Sequence, residues 1–276
     1  MSYLDELGRA LGAAGIRGRL CSRILAETDD HLRSGGEPEA FGDPREVANA
    51  FAAELGTHDS RRAALAAFAA LGVTGAFFAA AFVSLRWARI PDPNQGEVAA
   101  LLALLGAQVA FVAGTLALLR ALRRRRERVL PTAELAVLNR RTGTALAAGL
   151  VTVGGVALYA YQLPELAAWW RTFALAGSGA SAGLLLAASA SFVPAARLRP
   201  QVAGAAGDLF DDLPLGPYRG DPWRFARHVA VLVFAAVTLA GILQGDPFDG
   251  ALRGLLEAAA CLSGFAVFGK YLGLRR

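Results

Sequence analysis

The 276-residue chain is 55% hydrophobic, with a mean hydropathy of +0.41, so it does not read as a single water-soluble globule. Its formal net charge of +5 is unevenly spread: residues 1–60 hold six Arg against eleven Asp or Glu, and the basic surplus flanks apolar stretches further on. An acidic leading segment would be repelled by phosphate, and charge beside membrane spans accounts for the basicity, so direct nucleic-acid binding is excluded as its cause.

The first predicted helix is capped by Ser2, carries Asp5 in its first turn, and repeats Leu4, Leu7 and Leu11 at helical spacing until Gly12 and Gly15 end it. A second helix is expected over about 16–32, with Ile16, Leu20, Ile24 and Thr28 on one stripe and Leu25 and Leu32 beside it. Ser34, Gly35, Gly36 and Pro38 break it. Asp43, Pro44 and Glu46 then form a helix start: a capping oxygen, a proline at the first helical position, and a carboxylate three residues after the cap. Val47, Phe51 and Leu55 give a third apolar face, which Gly56 is expected to stop. Three short helices bury little surface, so this segment is expected to dock onto something. Its acidic residues Asp29, Asp30, Glu37, Glu39 and Asp43, with Pro44, are the candidate interaction residues.

Six apolar stretches follow, at about 63–85, 98–119, 142–162, 172–193, 226–243 and 251–272. Each approaches the ~20 residues that carry a helix across ~30 Å of hydrocarbon, where the backbone must satisfy its own hydrogen bonds. With the N-terminus inside, eighteen cations lie on inner flanks and four (Arg86, Arg89, Arg171 and Arg253) on outer ones, which places both termini in the cytoplasm. Trp87, Trp169 and Trp170 then fall at outer interfaces and Trp223 at an inner one. No cleavable signal peptide is expected; the first span serves as its own insertion signal. Nearly all cations are Arg, and Ala and Gly abound, as in a high-GC bacterial genome. The expected class is all-α: a small cytoplasmic domain over 1–60 and a six-span bundle over 61–276 in a bacterial inner membrane.

The spans offer little chemistry. No metal-binding, nucleotide-loop or nucleophile-elbow motif is present, and His31, His58 and His228 are scattered. Cys21 and Cys261 support neither a disulfide framework nor a zinc site. No catalytic residue, metal or cofactor is expected. Gln108, deep in the second span, and Arg253 with Glu257, four residues apart in the sixth, are the candidate intramembrane polar site; the competing readings are interhelical hydrogen bonding for Gln108 and an outer-interface ion pair for the other two. The serines of span four (Ser178, Ser181, Ser189 and Ser191) read as interhelical glue. Gly179 with Gly183, and Gly269 with Gly273, are expected to pack within the bundle, with homo-oligomerisation as the alternative. Arg123, Arg124, Arg125 and Arg126 are candidate ligands for anionic lipid, beyond their role in fixing topology. The loop from 194 to 224 mixes Asp208, Asp211 and Asp212 with Leu209, Phe210 and Leu213, a pattern that suits a partner contact or a spacer.

Tyr3-Leu4 through Leu7 and Leu11, Arg23 to Glu27 with His31-Leu32, Gly42-Asp43-Pro44, Val47-Ala48 and Ala53-Glu54-Leu55-Gly56 together resemble the HAAS domain. This is a short helical prefix of bacterial membrane proteins, including permease-prefix proteins, often encoded beside PadR-type transcriptional regulators. Asp221-Pro222-Trp223-Arg224-Phe225-Ala226 is similar, more weakly, to an actinobacterial subset. The resemblance covers about residues 3–56. It implies a cytoplasmic interaction module coupled to a membrane part, a cytoplasmic regulatory partner such as a PadR-type regulator, and no catalytic residues. The expected function is that of a non-enzymatic membrane regulator or sensor; a small transporter or permease subunit using Gln108 and Glu257 is the alternative.

Overall fold

The computed structural model describes residues 2–35, 37, 41–84, 96–163, 167–207, 221–243 and 247–271. All regular structure among them is helical: α1 (Tyr3–Ala13), α2 (Arg19–Arg33), α3 (Pro44–Ser84), α4 (Glu97–Arg123), α5 (Thr132–Gln162), α6 (Ala168–Arg197), α7 (Pro222–Leu243) and α8 (Pro247–Tyr271).

Local signals set the helix starts. Ser2 and Asp5 form a reciprocal capping box, the Asp5 amide donating to Ser2 Oγ at 3.2 Å and the Ser2 amide to Asp5 Oδ2 at 3.3 Å. The Arg45 amide donates to Asp43 Oδ1 at 2.9 Å, so Asp43 and Pro44 hold the cap and first-turn positions the sequence assigns them. Asp221 and Pro222 repeat the device at α7, where the Arg224 amide donates to Asp221 Oδ1 at 3.0 Å. Helix α2 starts three residues later than expected, because Gly15 and Gly18 take left-handed φ values of +90° and +66° and hold Ile16 in a buried turn.

The third helix departs most from expectation. Gly56 does not stop it; α3 runs unbroken for 41 residues, from Pro44 to Ser84, through the first apolar stretch. Gly56 is buried under the side chains of Leu135, Leu198 and Pro200. Packing of this kind outweighs the ~1 kcal/mol helix penalty of one glycine. The buried face also differs. Phe51 is 40% exposed, and the chain buries Ala48, Ala52, Ala53, Gly56, Thr57 and Ser60, since only small residues fit where neighbouring elements approach so closely.

The chain divides into two compact units, residues 1–206 and 207–276. The N-terminal helices therefore belong to the same unit as α3–α6, with no break near residue 60. In that unit α3, α4, α5 and α6 form a four-helix bundle in which sequential helices are neighbours, α6 returns to α3, and α3 and α5 also touch across the diagonal. Helices α4 and α5 meet backbone to backbone: a Cβ at Gly155 would lie 2.6 Å from the Ala103 nitrogen, and one at Gly106 would lie 2.9 Å from the Thr152 nitrogen. The second unit is the hairpin of α7 and α8, joined by an equally close approach of Gly250 to Gly241 and by Trp223 against Phe265 at 5.6 Å between ring centres.

Five helices among the described residues are long and apolar enough to cross a membrane: α3, Val98–Arg123 of α4, α5, α6 and Gly250–Val267 of α8. Exposed Leu, Val and Phe side chains along them, such as Phe82, Leu101, Phe111 and Leu186, suit a hydrocarbon solvent. Helix α7, at the position of the expected fifth span, forms over 22 residues but is not among those five.

Candidate functional site

The arginine-rich end of the four-helix bundle carries the most elaborate polar structure in the first unit. The turn after α4 folds back over α3. Arg61 of α3 donates to the backbone carbonyls of Arg124 and Glu127, the latter at 2.7 Å, and Thr57 Oγ1 accepts the Leu130 amide at 2.9 Å. Leu130 itself is buried among Ala64, Ala117, Ala121, Leu135 and Leu138. Beneath this turn Arg120 is 1% exposed and Glu134 2%. Arg120 Nη1 lies 3.2 Å from Glu134 Oε2, an ion pair by distance though the two atoms are not aligned for a hydrogen bond. Arg124 reaches Glu134 at 3.3 Å and Glu127 at 2.6 Å. Arg141, fully buried, donates to the Leu116 carbonyl at 3.3 Å and ties α5 to α4. Charges this deep are kept only when paired and hydrogen-bonded.

A second structure covers the same end. After α6 the chain runs as an extended strap over 198–206. The Arg199 amide donates to the Ala14 carbonyl at 3.0 Å, behind α1. Asn49 of α3 grips the Gln201 backbone from both sides, its Nδ2 donating to the carbonyl at 2.9 Å and its Oδ1 accepting from the amide at 2.6 Å. Thr132, at the start of α5, donates to the Pro200 carbonyl at 2.8 Å and accepts from the Val202 amide at 2.8 Å. Leu198 completes the core of the N-terminal module, packing against buried Leu7, Leu11, Ile16, Ile24, Ala48 and Ala52. Gly15 shows how tight the joint is: a Cβ there would clash with the Arg197 carbonyl oxygen. The module is thus docked onto its own bundle.

The residues singled out from sequence fall as follows. Gln108 lies exposed on the outer face of α4, away from the bundle interior. Arg253 and Glu257 are exposed on α8 in the other unit. Arg123, Arg125 and Arg126 are exposed, whereas Arg124 is turned inward to Glu127 and Glu134. Asp29 pairs with Arg33 at 2.7 Å, Asp30 and Glu37 are exposed, Asp43 caps α3, and Glu39 lies outside the described residues. So do Asp208, Asp211 and Asp212, with Trp87. Trp170 is a core residue and no interface anchor: it is buried against Tyr159, and its indole donates to Ala81 O and Ser84 Oγ, both at 3.1 Å. Ser189 and Ser191 bond carbonyls of their own helix, at 2.8 and 2.6 Å, and do not glue helices together. Nothing lies within 4 Å of a Cβ at Gly179 or Gly183, so this pair does not pack within the bundle, and Gly273 lies outside the described residues.

Sequence reasoning missed Arg120, Glu134, Arg141, Asn49 and Thr132. Asn49 and Thr132 carry no motif. Glu134 had a usable signal: it is the lone acid between the arginine run and the next apolar stretch.

Comparison of the chain with protein-family models, with curated proteins and with solved structures finds no match. The five long apolar helices identify a multi-pass membrane protein.

Proposed function

We propose that this chain is a non-enzymatic regulatory or sensory protein of a bacterial cytoplasmic membrane. On this reading both termini are cytoplasmic, α7 crosses the bilayer as a sixth span, and α1, α2 and the start of α3 form the interaction module. The observation that supports it is continuity: one helix, α3, carries module residues such as Asn49 and Leu55 at one end and crosses the bundle at the other. A change in how α3 packs in the membrane alters the module's seat on the strap. Regulation is then a population shift between a docked state and an undocked one, in which the apolar surface around Leu7, Leu11 and Leu55 becomes available. The partner we assign is a cytoplasmic regulatory protein, of the PadR type if the resemblance of residues 3–56 to the HAAS domain holds. Leu20 and Phe51, 43% and 40% exposed, already present apolar contacts on the module.

The test uses three full-length or near-full-length forms: wild type, the undocking pair Asn49→Ala with Gly15→Val, and a chain lacking residues 1–42 but keeping α3. After mild crosslinking in native membranes, a cytoplasmic regulator is expected with the wild type, in greater yield with the undocking pair, and not at all with the truncated chain. Identical recoveries from all three would end this reading.

A further inference from the structure

Between the N-terminal module and the bundle lies a concave cleft of about 870 Å³, with three guanidinium side chains on its rim. Arg17 comes from the turn between α1 and α2, Arg197 from the last turn of α6, and Arg199 from the strap. All three side chains are exposed, and none makes an ion pair or side-chain hydrogen bond among the described residues. Among the described residues, Asp59 is the single carboxylate lining the cleft. The wall between them is apolar, from Ile16, Leu20, Leu55 and Leu198. Backbone contacts fix the arrangement: Gly15 is pressed on the Arg197 carbonyl and the Arg199 amide is bonded to Ala14. The fold therefore brings the backbones that carry these arginines to one cleft.

The position of the cleft along α6 bears on its occupant. The apolar run of α6 ends at Val193, and Pro194, Ala196 and Arg197 line the cleft one turn beyond. On the topology proposed above, this is the level of the cytoplasmic headgroups, where anionic lipid attracts basic side chains. Guanidinium binds phosphate oxygens in a two-pronged geometry.

We propose that this cleft binds the phosphate headgroup of an anionic phospholipid, and that the bound lipid holds the module against the bundle. One headgroup between Arg17 on the module and Arg197 and Arg199 on the bundle side bridges the two surfaces. Membrane lipid composition then sets the docked fraction. The proposal rests on the docking reading and supplies its stimulus.

The experiment places the full-length protein in nanodiscs of phosphatidylcholine, with or without phosphatidylglycerol, and follows amide exchange at Arg199, Gln201 and Val202. Phosphatidylglycerol is expected to raise protection roughly tenfold. Arg17→Gln with Arg197→Gln and Arg199→Gln should abolish that difference, while Arg62→Gln, exposed on α3 outside the cleft, should keep it. Equal protection in both lipids, or a difference that survives the triple substitution, overturns the proposal. So does equal protection from inorganic phosphate added to phosphatidylcholine discs, since the anion would then come from solution. If lipid has no effect but the undocking pair still raises partner recovery, the lipid site falls and the regulatory reading stands.

Discussion

At its arginine-rich end the four-helix bundle buries charge, whereas its middle turns bury hardly any polar group that reaches another helix. At the end, Arg61, Arg120, Arg124, Glu134 and Arg141 reach across elements, and Asn49 and Thr132 hold the strap. In the middle, Thr142, Thr152 and Ser189 return their hydroxyls to carbonyls four residues back in their own helices. Helices there are joined by Gly106 and Gly155, which let α4 and α5 touch. In hydrocarbon every chain surface is apolar, so burial does not choose between neighbours and steric fit does. Near the headgroups water competes for every polar atom, and a network that excludes water selects one arrangement.

The largest effect expected from this contrast is at Glu134. Replacing it with Ala leaves Arg120 buried without its carboxylate, and loss of one partner of a buried pair costs about 3–5 kcal/mol. Reversible denaturation in mixed micelles should show a loss of this size. Arg120→Met with Glu134→Leu should recover most of it, because the desolvation of both charges disappears together. A double variant as unstable as the single one would show that the pair is not the source.

The middle of the bundle should respond to volume and ignore charge. Gly155→Ala sets a Cβ 2.6 Å from the Ala103 nitrogen and 2.9 Å from the Ala99 oxygen, both backbone atoms that cannot swing away. Overpacking of this kind costs about 1–3 kcal/mol. Gly179→Ala adds the same methyl group where nothing lies within 4 Å, and should change stability by no more than about 0.5 kcal/mol. Equal effects at the two positions would refute the view that steric fit specifies the middle.

The same contrast explains what the sequence discloses. Helix starts are local, and Ser2 with Asp5 or Asp43 with Pro44 can be read because cap and first turn lie within three residues. Long apolar stretches are equally legible, since their length is matched to the bilayer. Burial of a single polar side chain is not. Arg120 and Arg141 look like topogenic charge beside a span, and only the fold of the turn over α3 makes them core residues. Gln108 fails in the opposite sense: depth in a span says nothing about which side of the helix faces the bundle. Gly56 is a stop signal by propensity, overruled by what packs on it.

The module itself offers the smallest effect and the finest test of docking. Tyr3 packs against its apolar core with a buried hydroxyl that has no hydrogen-bond partner among the described residues, and its ring lies 6.0 Å from Phe41. Burial first, and the Asp43 carboxylate second, push the phenol above its ordinary value of 10.0. Both causes favour the neutral phenol in the folded chain. The stability it contributes is therefore fully present below pH 10, and is lost as pH rises through the raised folded value. Tyr3→Phe should change stability at pH 7 by no more than about 0.5 kcal/mol, because no hydrogen bond is lost, and should remove this alkaline dependence. The phenolate difference spectrum between wild type and Tyr3→Phe isolates this residue from the other tyrosines. A midpoint above 10 is expected for the docked module; with the undocking pair at Gly15 and Asn49, the midpoint should fall toward 10 if solvent then reaches the ring. A wild-type midpoint at 10 would mean that Tyr3 is already solvated, and that the module is held by its hydrogen bonds to the strap more than by its apolar core.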